Sequence, residues 1–319
     1  MKHVVLLRRW KNRFNPLDDL IAAAGYHVTV ANDDDFVFDS ADILWFQGNV
    51  NWFPRAWSHL ERADRQSRPF TLTWHTEPLP FPDDSGFSQP RLTLREIGKI
   101  ILRDPRATDS WTNARRIAQL VRTGLLDLCV VSSRSRQSYL QQKRIPSEFV
   151  PLGYDPRMGR DLGAERDIDV LFIGTLDDAR HRKAIRFIRS SGIEVHAAGS
   201  WTSDAFWGDS RTTLINRAKI FLNVQRHPGQ YSGLRMLLGM GNRSMVLSEP
   251  VHDPFPYEPG VHYVSTALEQ MPETILKYLS DDSARAAVAD AGYDFVTTQL
   301  RMEKSVAAIL DHVNRLQSQ

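Results

Sequence analysis

The chain has 319 residues, 42% of them hydrophobic and 24% charged, enough for two domains of ordinary size that each bury a core. Forty basic side chains stand against 38 acidic ones, so net charge alone selects no class of partner, and the single cysteine, Cys129, excludes an internal disulfide. The opening MKHVVLLRRW is too short in apolar residues for a signal peptide, and no run approaches the ~18 needed to span a bilayer, which points to the cytoplasm with room for a peripheral contact at the inner membrane face.

Short apolar runs, each followed by a longer amphipathic stretch, recur through both halves, the pattern of parallel sheets with crossover helices. The first half offers strands at His3–Leu7, His27–Ala31, Ile43–Gln47, Phe70–Trp74 and Leu128–Ser132. Runs such as VVLL suit strands covered on both faces. Pro16–Ala24 reads as the first helix, ended by Gly25. The loop Arg8–Asn15 after the first strand is basic and rich in asparagine. Asp33, Asp34 and Asp35 follow the second strand and read either as a solvated turn or as carboxylates for a divalent cation.

The fourth strand opens into TWHTEPLP, where His75 and Glu77 stand at the edge at which open α/β sheets bind ligands. His75 is a candidate general base or sugar ligand; its bland alternative is a strand-end histidine bonded to a carbonyl. Between Arg91 and Arg144 twelve basic residues face four acidic ones, 12 − 4 = +8, and leucines and isoleucines alternate with the charges at the start of that segment. Residues 91–106 therefore read either as a core helix with a solvated face or as a surface for anionic lipid or a phosphate-bearing acceptor.

FVPLGYDP, Phe149 to Pro156, interrupts regular structure and makes a linker. The second alternation follows, with strands at Asp169–Ile173, Glu194–Ala198, Ile220–Val224, Ser244–Ser248 and His262–Val264 and helices at Ala179–Ser190, Leu234–Met240 and Met271–Tyr278. Gly174-Thr175 forms a turn ahead of a helix whose first turns carry Arg180, Arg182 and Lys183. Such a turn lets backbone N–H groups approach phosphate, and nearby cations neutralise it; a solvated basic helix face is the alternative reading for Arg186 and Arg189. Arg301–Leu316 has the spacing of an amphipathic terminal helix.

Four segments together resemble the GT-B glycosyltransferases of the "group 1" kind, with a C-terminal half similar to the CgeB-type branch: Cys129–Pro156, Asp167–Ile188, Leu214–Pro250 and Pro256–Val264. The resemblance implies an α/β protein of two Rossmann-like, doubly wound parallel-sheet domains facing a cleft. Residues 1–152 form the acceptor side, 153–300 bind the nucleotide sugar, and 301–319 form a helix across the junction. It further implies transfer of a sugar from a nucleotide donor to a glycan, lipid-linked or polymer acceptor, without a metal. Ser232, Gly233, Leu234 and Arg235 inherit the helix start that faces the donor diphosphate, Arg226 and His227 stand in reserve, and Glu258 lies in the acid-Pro-Gly turn beside the donor. The sequence departs from the pattern at Met236, where many relatives carry a glutamate for the ribose hydroxyls. Transfer to modified bases in DNA, or a non-catalytic nucleotide- or glycan-binding module, are the alternatives.

Overall fold

A computed structural model describes residues 1–9, 16–38, 40–92, 94–102, 109–176, 178–199 and 208–318. Residues 10–15 of the basic loop, and 93 and 103–106 of the basic segment, lie outside the described residues, as does the side chain of Arg95. The chain divides into two compact units, residues Met1–Pro151 with Glu303–Gln319, and Leu152–Met302.

The first unit holds a six-stranded, all-parallel sheet of β1 (His3–Leu7), β2 (His27–Ala31), β3 (Ile43–Gln47), β4 (Phe70–His75), β5 (Leu128–Val131) and β6 (Glu148–Phe149), in the order β2-β1-β3-β4-β5-β6. Val4 to Leu7 are all fully buried, as a strand covered by helices on both faces requires. The crossovers carry α1 (Leu17–Ala23), α2 (Pro54–Arg62), α3 (Leu94–Ile101), α4 (Ser110–Arg122) and α5 (Arg134–Gln142). Asp33 accepts from the amides of Arg55 and Ala56 at the start of α2, at 3.0 and 2.9 Å, while Asp34 pairs with the Arg55 guanidinium. The acidic triplet thus caps a helix and closes a turn. Among the described residues no group of three or more His, Cys, Asp or Glu side chains is placed to hold a metal ion.

The second unit is a five-stranded parallel sheet of β7 (Ile168–Ile173), β8 (His196–Ala198), β9 (Ala218–Asn223), β10 (Met245–Ser248) and β11 (Val264–Ser265), ordered β11-β10-β9-β7-β8. Its helices are α6 (Ala179–Ser190), α7 (Gly208–Asn216), α8 (Gly233–Gly241), α9 (Met271–Ser280) and α10 (Asp282–Asp294). One face packs Ala184, Ile185 and Ile188 of α6 on Phe172 and Leu222; the other packs Leu237 and Met240 of α8 on Phe221 and Val246. Arg166 secures the far end of α8, its guanidinium donating to the carbonyls of Asn242 and Arg243 at 3.0 and 2.8 Å, where a helix C-terminus favours a cation.

The last helix, α11 (Met302–Gln317), returns to the first unit. It buries Val306, Ile309, Leu310 and Val313, the positions of its apolar stripe, and Ser305 donates to the Pro151 carbonyl at 2.8 Å. Among the described residues no helix is long and apolar enough to cross a membrane.

Candidate functional site

In each sheet the strand order reverses once, between β1 and β3 in the first and between β7 and β9 in the second. Ligands of open parallel sheets bind outside the carboxyl ends of the strands flanking such a reversal. In the second unit those ends are Gly174, after β7, and Val224-Gln225, after β9.

Arg235 joins them. It sits in the first turn of α8, and its Nη1 donates to the Val224 carbonyl at 2.7 Å while the guanidinium lies over the Phe172 ring, 5.5 Å from its centroid. A Cβ at Gly174 would stand 3.0 Å from Arg235 Nη2 and 2.7 Å from Phe172 Cζ, so this close approach depends on a glycine. Burial, reinforced by Arg226 and opposed by Asp178, lowers the Arg235 pKa to about 10, which leaves it a cation at neutral pH. The helix start beside it is open: Ser232 makes no side-chain cap, and the first turn contains no acid.

The start of α6 is closed. Asp178 accepts from the amides of Arg180 and His181 at 2.9 and 3.1 Å, and Arg226 Nε lies 3.5 Å from its other oxygen. Burial alone would raise the Asp178 pKa, but the His181 amide and the surrounding positive charge hold it below the usual carboxylate range. Arg180 grips Glu249 with both terminal nitrogens and donates to the Gln225 carbonyl at 2.5 Å; Glu249 is only 4% exposed and also accepts from the Gln225 amide at 2.9 Å. This pair stitches α6 to the ends of β9 and β10.

The remaining expected residues are spread out. Thr175 continues the turn from Gly174, and its carbonyl meets His181 Nδ1 at 3.0 Å. Lys183 stands on the solvent side of α6. His227 turns the loop after β9, its carbonyl accepting from the Gln230 amide; Gly233 is buried, and Ser232 and Leu234 are half-buried. Glu258 is exposed in a turn before edge strand β11, where its amide donates to His262 Nδ1 at 3.0 Å; β10 separates β11 from β9. Met236 is buried, its sulfur 3.5 Å from Asn223 Nδ2, so α8 turns a core thioether where a ribose carboxylate would stand.

His181 and Asp178 also lie beside the candidate site, and motif reading passes over them. His181 is 2% exposed, edge-on to Phe172 at 5.2 Å, with Nδ1 engaged by Thr175 and Nε2 buried without a partner. Burial first, and then Arg235, lower its pKa, so the ring is neutral. An Asp immediately before a basic helix is the signal for this cap.

In the first unit His75 ends β4 fully buried. Neither ring nitrogen has a hydrogen-bond partner, and burial with the field of Arg136 drives its pKa down to about 3, opposed by a polar contact with the Gly48 backbone outside hydrogen-bonding geometry. Glu77 is half-buried two residues on, in a loop pinned where Asn113 Nδ2 donates to the Pro78 carbonyl at 2.9 Å. Asn113 in turn bonds Asn49 and Asn51 beyond the end of β3.

Residues 180–311 match a glycosyl transferase-like family. No curated protein matches the chain in sequence. Sucrose-phosphate synthase from Thermosynechococcus elongatus superposes with a TM-score of 0.67 at 12% identity, covering 100% of both chains. HepE (Alr3699) of Anabaena, solved with UDP and glucose, gives 0.65 at 11% identity over 99% of this chain and 100% of that one. BGT of phage T4, with its UDP-glucose substrate, gives 0.57 at 11% identity over 99% of each. The two parallel-sheet units of this chain have the GT-B glycosyltransferase fold.

Proposed function

We propose that the chain is a glycosyltransferase that takes a sugar from a nucleotide-diphosphate donor, with the diphosphate at the start of α8. The observation that carries this reading is the placement of Arg235, a half-buried cation held at the β7/β9 reversal beside an uncapped helix start. Both the guanidinium and the N-terminal amides of α8 favour the charge that builds on a departing diphosphate, and they are fixed before the reaction begins. Transfer without a metal rests, in this proposal, on these two groups. The similar folds solved with UDP or UDP-glucose make a uridine diphosphate sugar the first donor to test.

The acceptor is a hydroxyl on a glycan, lipid-linked or polymer substrate. Proton removal from that hydroxyl is assigned to the carboxyl edge of the first sheet. There Glu77 is half-exposed and takes the base role first expected of His75, which ends the strand fully buried and uncharged. Arg226, His227 and Thr175 border the diphosphate, and Glu258 is held in reserve for the ribose.

One observation favours a second reading, a module that binds a nucleotide without turning it over: α8 presents buried Met236 in place of a carboxylate. Hydrolysis of UDP-glucose in the absence of acceptor separates the two. Release of glucose, lowered at least about a hundredfold in Glu77→Gln, supports transfer; binding of UDP-glucose with no turnover for any acceptor identifies a binding module.

A further inference from the structure

A helix packed on a sheet ordinarily turns its apolar stripe to the core and its charges to water. In α3 this is inverted. Leu94 and Ile101, seven residues apart and hence on one face, are 88% and 74% exposed, with Ile97 between them at 38%. Ile100 at 38% borders that face, and Leu102, just past the helix end, is 80% exposed, while Glu96, Gly98 and Lys99 are half-buried. Leu92 and Arg91, just ahead of the helix, are exposed as well. The approach is anchored by Trp111 of α4, whose indole N–H donates to the Pro90 carbonyl at 2.8 Å. A cluster of large aliphatic side chains displayed in this way marks an interaction surface.

We propose that Arg91–Leu102 docks the protein on the surface of an anionic phospholipid membrane. Charge selects this occupant. Within the segment Arg91, Arg95 and Lys99 outnumber Glu96, 3 − 1 = +2. Cations flanking an apolar face are attracted to anionic headgroups while the aliphatics enter the acyl boundary. A second copy of the chain is the poorer fit, because a two-fold contact would set two basic segments against each other. Eight helical residues also rise only about 12 Å, too little to supply the ~800 Å² per partner of a stable dimer. Docking does not depend on the glycosyltransferase reading. Its corollary, that the acceptor hydroxyl is carried by the membrane, rests on that reading.

The test is sedimentation of the intact protein with vesicles of phosphatidylcholine alone or mixed with phosphatidylglycerol. The mixed vesicles are expected to bind it at least about tenfold more strongly, with the preference falling as salt rises. Leu94→Ser/Ile101→Ser should lower that binding about tenfold with an unchanged melting temperature, since neither side chain is in the core. Arg91→Glu/Lys99→Glu should remove the preference for phosphatidylglycerol. Equal binding to both vesicles, or to neither, overturns the proposal, as does a double-serine variant that binds like the parent. A dimer in sedimentation equilibrium that the serine variant dissolves would assign the face to a second copy instead. Because these readouts need no nucleotide, they stay separate from the test of the active site.

Discussion

Two helix starts in the second unit look alike in sequence and differ in what fills them. The α6 start follows a strand, a glycine turn and a run of cations, yet Asp178 occupies its free amides and its first arginine is bound to Glu249. The α8 start has an uncapped serine and one arginine, held by a carbonyl and a ring face rather than by a carboxylate. A cation already neutralised by a buried acid has little left for a ligand, whereas one bonded only to neutral groups keeps its charge available. Counting arginines therefore does not separate the two helix starts, whereas counting unneutralised arginines singles out α8 as the candidate site.

Several changes break or sharpen that contrast. Arg180→Ala should remove about 3 kcal/mol of stability in a denaturant titration, because it leaves Glu249 buried without its partner. Arg180→Met/Glu249→Met should restore most of it. If Arg180→Ala instead leaves stability intact and abolishes nucleotide binding, the two helix starts have exchanged roles.

Acid should expose the neutral histidines. An unfolded histidine takes up a proton below pH ~6.5, whereas His75 in the folded chain resists until about 3. The unfolded state then binds more protons, so the folded state loses up to about 1.4 kcal/mol per pH unit below that point. His75→Phe should flatten this slope between pH 6 and pH 4 in urea melts at stepped pH. His181→Phe should flatten it less, since its pKa is lowered but Thr175 opposes the shift.

Asp178→Ala should cost about 1 kcal/mol of helix capping and, by releasing Arg226 and the α6 amides, tighten diphosphate binding modestly in a calorimetric titration. Weaker binding would mean that Asp178 shapes the site rather than closing it. The smallest effect is expected at Lys183→Ala, where affinity should stay within about twofold, as for any exposed charge beyond the first turn.

Much of the fold was legible because buried parallel strands are short apolar runs with few alternatives. HVVLL and ILWFQ coincide with β1 and β3, and the cations and apolar spacing of Ala179–Ser190 coincide with α6. Helix α4 is not legible in the sequence, because Trp111 and Asn113 interrupt its apolar periodicity. The inversion of α3 was not legible either: the same pattern describes a helix packed face-in or displayed face-out, and only exposure separates them. At the site, the glycine turns and Arg235 stand in recognisable local contexts. The capture of Arg180 does not, since Glu249 lies 69 residues away and meets it only when α6 crosses the ends of β9 and β10.

The most direct measurement is calorimetric titration of UDP into the parent protein, Arg235→Ala and Arg180→Ala, each below its melting temperature. Loss of a charge-assisted phosphate contact worth roughly 2 kcal/mol should weaken Arg235→Ala about thirtyfold and leave Arg180→Ala close to the parent. Parent-like affinity in Arg235→Ala would contradict the placement of the diphosphate at α8.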